Sequence, residues 1–181
     1  QRCMVAEVMG RHVGWIALHS GIAAGAHVIC IPEVPMSIDE ITAQVQKAHD
    51  RGRAPLVVVS EGFTLTGMDE AYSDKGLDAF NRPRLGGISE ILAPEIERIT
   101  GIETRATVLG HIQRGGSPSA FDRVLATRLG LHAADAVVDG AWGQMVSMKG
   151  TDIVRVPFED ALGELNTVPI YRYEEAAALF G

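Results

Sequence analysis

Residues 2–11 read Arg2-Cys-Met-Val-Ala-Glu-Val-Met-Gly-Arg11, an apolar run that stops at a glycine and an arginine. The run reads as a buried strand. Beyond it, Gly14 to Ala24 reads as a helix ending near Gly25. Val28 to Ile31, bounded by Pro32, reads as a second strand. A strand, a helix and a further strand in succession argue for a parallel sheet, because a parallel pair needs a crossover of about a dozen residues or more.

The pattern continues outward. Ser37-Ile-Asp-Glu40 is a capping box and opens a helix to about Asp50. Leu56 to Val59 is a fully apolar strand. Residues 62–87 carry Gly, Asp, Ser, Asn and Pro with weak periodicity, and read as a long loop or insertion with short hairpin pieces. Ile88 to Thr100 is helical, and Pro94 inside it predicts a kink or a break. Arg105 to Leu109 is a strand, and Ser119 to Val138 a long helix. Gln144 to Met148 and Ile153 to Val156 read as two strands joined at Lys149-Gly-Thr-Asp152. The last helix is placed at about Glu174 to Phe180. The strands are short and continuously apolar, as strands buried on both faces should be. The fold class expected is α/β: a doubly wound, mostly parallel sheet with helices on both faces.

Composition narrows the function classes. A length of 181 residues suits one domain, or one domain with an incomplete neighbour. A net charge of −7 argues against a broad nucleic-acid or anionic-membrane surface. No apolar run approaches the roughly 18 residues of a membrane span. Cys3 and Cys30 sit inside apolar runs and read as buried thiols of a reducing, cytoplasmic environment rather than a disulfide or metal pair. No signal peptide is visible, and Gln1-Arg2 leads directly into a strand, so the sequence reads as cut from something longer.

Ligands of doubly wound sheets bind at the carboxyl ends of the strands. Met9-Gly10-Arg11 follows the first strand, Ser60-Glu61-Gly62 the third, and Gly110-His111-Ile112-Gln113-Arg114-Gly115-Gly116-Ser117 the fourth. Two arginines and a histidine suit phosphate oxygens. A carboxylate accepts hydrogen bonds from hydroxyls, and glycines let backbone approach closely. This inventory suits a phosphorylated polyol. Taken singly, each residue has a plainer reading: a turn glycine, a solvated arginine, a loop acid, a structural histidine. What favours the site is that all three sets fall after apolar strands. The histidines show no metal-binding spacing, no metal ligand is expected, and no Walker A, GxGxxG or GxSxG stretch occurs.

Val5-Ala-Glu-Val-Met-Gly-Arg-His-Val-Gly14 and Glu103-Thr-Arg-Ala-Thr-Val-Leu-Gly-His-Ile-Gln-Arg-Gly-Gly-Ser-Pro118 resemble two signature stretches of the phosphofructokinase family. Gly143-Gln-Met-Val146 and the closing Arg172-Tyr173 region look most like its actinobacterial members, a group with ATP- and pyrophosphate-using enzymes. The resemblance implies a cytoplasmic, glycolytic 6-phosphofructokinase. Such an enzyme moves a phosphoryl group from ATP or pyrophosphate, with Mg²⁺, to the 1-hydroxyl of fructose 6-phosphate. It implies that Met9 and Gly10 lie against the sugar and Glu61 holds its hydroxyls. His111 and Arg114 bind the 6-phosphate and sugar. Arg11 sits near the transferred group and stabilises its charge. Arg2 and Arg105 match arginines that reach the 6-phosphate of a neighbouring subunit, which implies a homo-oligomer with a shared sugar site.

The family's glycine-rich phosphate loops, Gly-Gly-Asp motif and Thr-Ile-Asp-Asn-Asp segment belong to its N-terminal half, and none occurs here. Residues 1–181 therefore read as the sugar-phosphate-binding region, with the donor-binding half and Mg²⁺ site absent and the isolated chain inactive. The alternative is a non-catalytic sugar-phosphate-binding or regulatory module. At Gly25-Ala26-His27, short bacterial members carry an acid that helps bind an allosteric nucleotide. His27 stands in its place, whereas Arg51 and Arg53 match basic effector residues.

Overall fold

The computed structural model describes residues 1–67 and 86–180. In chain order its elements are β1 (Cys3–Val8), α1 (Trp15–Ala24), β2 (Val28–Cys30), α2 (Ile38–Asp50), β3 (Leu56–Ser60), α3 (Ile88–Thr100), β4 (Thr104–Val108), a 3₁₀ turn (Gly110–Arg114), α4 (Ala120–Val138), β5 (Gln144–Lys149), β6 (Asp152–Pro157), α5 (Phe158–Leu162) and α6 (Ile170–Ala177). The chain divides into two compact units, Gln1–Arg114 with Thr167–Gly181, and Gly115–Asn166.

The first unit holds a parallel sheet in the order β2-β3-β1-β4. Successive strand residues point to opposite faces. On one face Cys3, Val5, Val57 and Val59 pack with Ile41 and Val45 of α2 and Leu92 and Ile96 of α3. On the other, Val8, Ile29 and Val58 pack with Ala17 and Leu18 of α1 and Tyr173 and Ala176 of α6. Strands β2 and β3 are thus covered on both faces, as their apolar runs predict, whereas Met4 of β1 and Arg105 to Val108 of β4 are exposed. Cys3 and Cys30 are buried free thiols. Burial pushes Cys3 up to about 11, against a smaller downward pull from its hydrogen bond with Thr104, and pushes Cys30 up as well.

The capping box forms as read: Glu40 N–H donates to Ser37 Oγ at 3.2 Å, and Ser37 N–H donates to Glu40 Oε2 at 2.7 Å. Helix α3 runs through Pro94 as one element, without the break that is one of the two expected outcomes. Proline costs a helix interior about 3 kcal/mol. Ile88, Leu92, Ala93 and Ile96 are all buried, and burial of a large apolar side chain contributes about 1.5–3 kcal/mol. The packing outweighs the lost hydrogen bond. The last helix begins at Ile170 rather than near Glu174 and ends at Ala177. Pro169, at φ −61, is already set for a helix start, and Tyr173 and Ala176 form the buried stripe. Helix α5 is not anticipated from sequence.

Within residues 62–67 the chain is not wholly loop. Phe63 and Leu65 are buried in the core, and Leu65 bridges in parallel to Met36. The remainder of the expected insertion, 68–85, lies outside the described residues.

In the second unit, Ser119 and Asp122 form a capping box at the start of α4. Strands β5 and β6 pair antiparallel from Gln144↔Pro157 to Lys149↔Asp152, closing at the expected turn. Arg128 donates to the Thr151 carbonyl at 2.8 Å, and Arg155 pairs with Asp139 at 2.7 Å. No residue of this unit is buried.

Candidate functional site

The order β2-β3-β1-β4 places β1 between β3 and β4. All three run parallel, so their carboxyl ends lie side by side. The three stretches that follow them, far apart in sequence, become one edge.

The turn after β1 is fixed from both sides. On the β3 side, Gly10 N–H donates to Glu61 Oε1 at 3.4 Å. The Gly10 carbonyl accepts from Ser60 Oγ at 2.6 Å and from Gly62 N–H at 3.0 Å. Glu61 N–H donates to the Val8 carbonyl at 2.9 Å, extending the ladder past the strand. On the β4 side, Leu109 N–H donates to the Glu7 carbonyl at 3.0 Å, and Met9 N–H to Gln113 Oε1 at 3.1 Å.

Two glycines are required by this geometry. Gly10 has φ +144, and a Cβ there would meet Ser60 Oγ at 2.3 Å and the Val13 carbonyl at 2.7 Å. A Cβ on Gly62 would stand 1.9 Å from the Arg11 carbonyl oxygen. The backbones of the two turns touch, which only glycine allows.

Met9, Gly10, Arg11 and Glu61 are half-buried here, while His111 and Arg114 are exposed on the 3₁₀ turn. The structure therefore brings these six predicted residues to one edge. Arg2 and Arg105 lie elsewhere. Arg105 pairs in register with Met4, and Thr104 with Cys3, at the amino ends of β1 and β4.

Four further residues that the sequence did not assign individually shape the candidate site, although three of them lie in the quoted strand-end stretches. Ser60 and Gly62 hold the Gly10 carbonyl. Gln113, inside the His-Ile-Gln-Arg stretch, reaches back to β1. Glu7 is 2% exposed, and its carboxylate accepts from Gly87 N–H at 2.9 Å, Ser89 N–H at 2.9 Å and Ser89 Oγ at 2.8 Å. An acid in an apolar strand is the one sequence signal that could have marked it, since a buried carboxylate needs donors.

His27, Arg51 and Arg53 come together at a partly open pocket of about 250 Å³, lined also by Ile22, Ile29 and, from the C-terminal segment, Ala176, Leu179 and Phe180. His27 Nδ1 accepts the Leu56 N–H at 3.2 Å. Burial, and then Arg53, lower the imidazole's pKa. Among the described residues no three His, Cys, Asp or Glu side chains gather as a metal group, and no helix is long and apolar enough to cross a membrane.

Fold and edge together define a doubly wound α/β domain whose candidate site is built from three adjacent strand ends. The family model for phosphofructokinase matches residues 1–137. The chain is 54% identical over 180 residues to the pyrophosphate–fructose 6-phosphate 1-phosphotransferase of Amycolatopsis mediterranei (strain S699), covering 99% of this chain and 53% of that protein. It is 50% identical over 182 residues to the ATP-dependent 6-phosphofructokinase of Mycobacterium leprae (strain TN), covering 100% and 53%. The crystal structure of Pichia pastoris phosphofructokinase in the T-state superposes with a TM-score of 0.69 at 35% identity, over 98% of this chain and 17% of that one. The chain belongs to the phosphofructokinase family. It spans about half the length of the curated relatives it matches.

Proposed function

We propose that this chain supplies the sugar-phosphate side of a cytoplasmic 6-phosphofructokinase, which converts fructose 6-phosphate to fructose 1,6-bisphosphate in glycolysis. The observation that carries the reading is the adjacency of the β3, β1 and β4 ends. Glu61 accepts hydrogen bonds from sugar hydroxyls. Met9 and Gly10 form the floor beneath the sugar. His111 and Arg114 bind the 6-phosphate through charge-assisted hydrogen bonds. Arg11, on the turn between them, is the catalytic residue and stabilises charge on the phosphoryl group in transit. Arg2 and Arg105 serve the 6-phosphate of a neighbouring subunit in a homo-oligomer.

The donor, ATP or pyrophosphate, and its Mg²⁺ bind mainly on the donor half, outside residues 1–181. Among the described residues no three His, Cys, Asp or Glu side chains gather that would hold the ion. The choice of donor is assigned to that other half, a reading supported by the near-equal match of this chain to relatives named for each donor.

The test is Arg114→Ala in the enzyme with its donor half. A charge-assisted hydrogen bond contributes about 1.5–3 kcal/mol. The KM for fructose 6-phosphate should rise about 10–150-fold, with donor KM nearly unchanged. An unaltered sugar dependence removes Arg114 from the site.

A further inference from the structure

We propose that Gln113 is a positioning residue that locks the turn after β1 onto the turn after β4. It thereby sets the spacing between the sugar contacts at Met9 and Gly10 and the phosphate contacts at His111 and Arg114. The inference rests on the sugar site proposed above.

Gln113 differs from its neighbours. His111, Ile112 and Arg114 are exposed, Ile112 by 80%, whereas Gln113 is half-buried. Its amide is used in both directions. Oε1 accepts the Met9 N–H at 3.1 Å, and Nε2 donates to the Gly110 carbonyl at 3.0 Å. Register pairing between β1 and β4 ends at Glu7↔Val108. One backbone bond follows, Leu109 N–H to the Glu7 carbonyl. Beyond it the strands offer no further rung, and the Gln113 side chain takes that place.

The chemistry is specific to a primary amide of this length. It presents one acceptor and up to two donors on a neutral, planar group. Glutamate at this position would set an oxygen against the Gly110 carbonyl. Methionine matches the length and fills the space, but offers no comparable donor or acceptor. With its oxygen and one N–H bonded to the backbone of the two turns, Gln113 is assigned a role through those turns.

The experiment compares Gln113→Ala and Gln113→Met with Arg114→Ala, all in the enzyme with its donor half. Both Gln113 variants should raise the fructose 6-phosphate KM about 10-fold, the loss expected when one or two neutral hydrogen bonds are removed. Donor KM should stay within about twofold of wild type. Hydrogen–deuterium exchange supplies a readout independent of turnover. In Gln113→Met the Met9 amide should exchange at least about 10-fold faster, while Val5 and Ala6 inside β1 keep their protection. If Gln113→Met restores both the wild-type KM and the Met9 exchange rate, Gln113 only fills space and the proposal is overturned. Faster Met9 exchange with an unchanged sugar KM also overturns it, because the clamp then sets nothing the substrate senses. If Arg114→Ala leaves the sugar KM unchanged, the site reading itself fails, and the positioning role fails with it.

Discussion

Arg2 Nε lies 2.7 Å from Glu103 Oε2, joining the residue before β1 to the residue before β4. The other oxygen of Glu103 takes Arg105, at 2.9 Å from its terminal nitrogen. The two guanidinium groups, Arg2 first and Arg105 second, hold the Glu103 carboxyl below its ordinary range. All three side chains are about half exposed, so these ion pairs add little stability. Their consequence is positional: one carboxylate gathers two arginines that lie about a hundred residues apart in the chain and that the family resemblance assigns to one phosphate.

That pair cannot serve the edge carrying His111 and Arg114. Arg105 lies four residues before Leu109, about 13 Å along an extended strand. The homo-oligomer proposed above, with a second subunit about a two-fold axis, is the arrangement that this separation calls for. Full-length Arg105→Ala and His111→Ala should each be inactive as homo-oligomers. Mixed after dissociation and reassociation, they should regain about a quarter of wild-type activity: half of the pairs are hybrids, each with one intact site of two. Verified subunit exchange without recovered activity refutes the shared site.

Glu7 ties β1 to the start of α3. Gly87, the cap residue of α3, has no side chain to satisfy the first N–H groups, and Glu7 does so from a neighbouring strand. Glu7→Ala leaves buried donors unpaired and should destabilise the chain by about 2–4 kcal/mol. Glu7→Gln keeps one acceptor oxygen and should cost less. Urea unfolding followed by circular dichroism measures both. A loss below about 0.5 kcal/mol for the alanine variant would show that water replaces the carboxylate without penalty.

His27 predicts an acid-sensitive stability. Its folded pKa is lowered from 6.5 by burial and then by Arg53. Between those two values the unfolded chain binds more protons. Its contribution is therefore fully present above about pH 6.5 and is lost as pH falls through the folded value. His27→Asn should keep an acceptor for the Leu56 N–H without titrating. The wild-type unfolding midpoint should drop more steeply than the variant's between about pH 7.5 and pH 5.5. Parallel profiles would exclude His27 as the source.

Much of the fold was legible because local physics set it. Leu56 to Ser60 has no polar side chain until its last residue, so only a strand buried on both faces could use it. Ser37 and Glu40 announce a helix start through groups three residues apart. Where the outcome depended on distant burial, local rules fell short: the Pro94 penalty was outweighed by the apolar face of α3, and α6 begins at Ile170, where Tyr173 packs beside Ile29 and its hydroxyl donates to the Ile29 carbonyl at 3.0 Å. The residue types of the site, Arg11, Glu61, His111 and Arg114, could be named from strand ends alone. Their meeting could not, because sequence does not fix which strands are neighbours, and it is the placing of β1 between β3 and β4 that makes three loops one edge. Gln113, Ser60 and Glu7 stayed hidden for the same reason: each acts through a hydrogen bond to backbone 50 to 104 residues away, a partner that exists only once the sheet has formed.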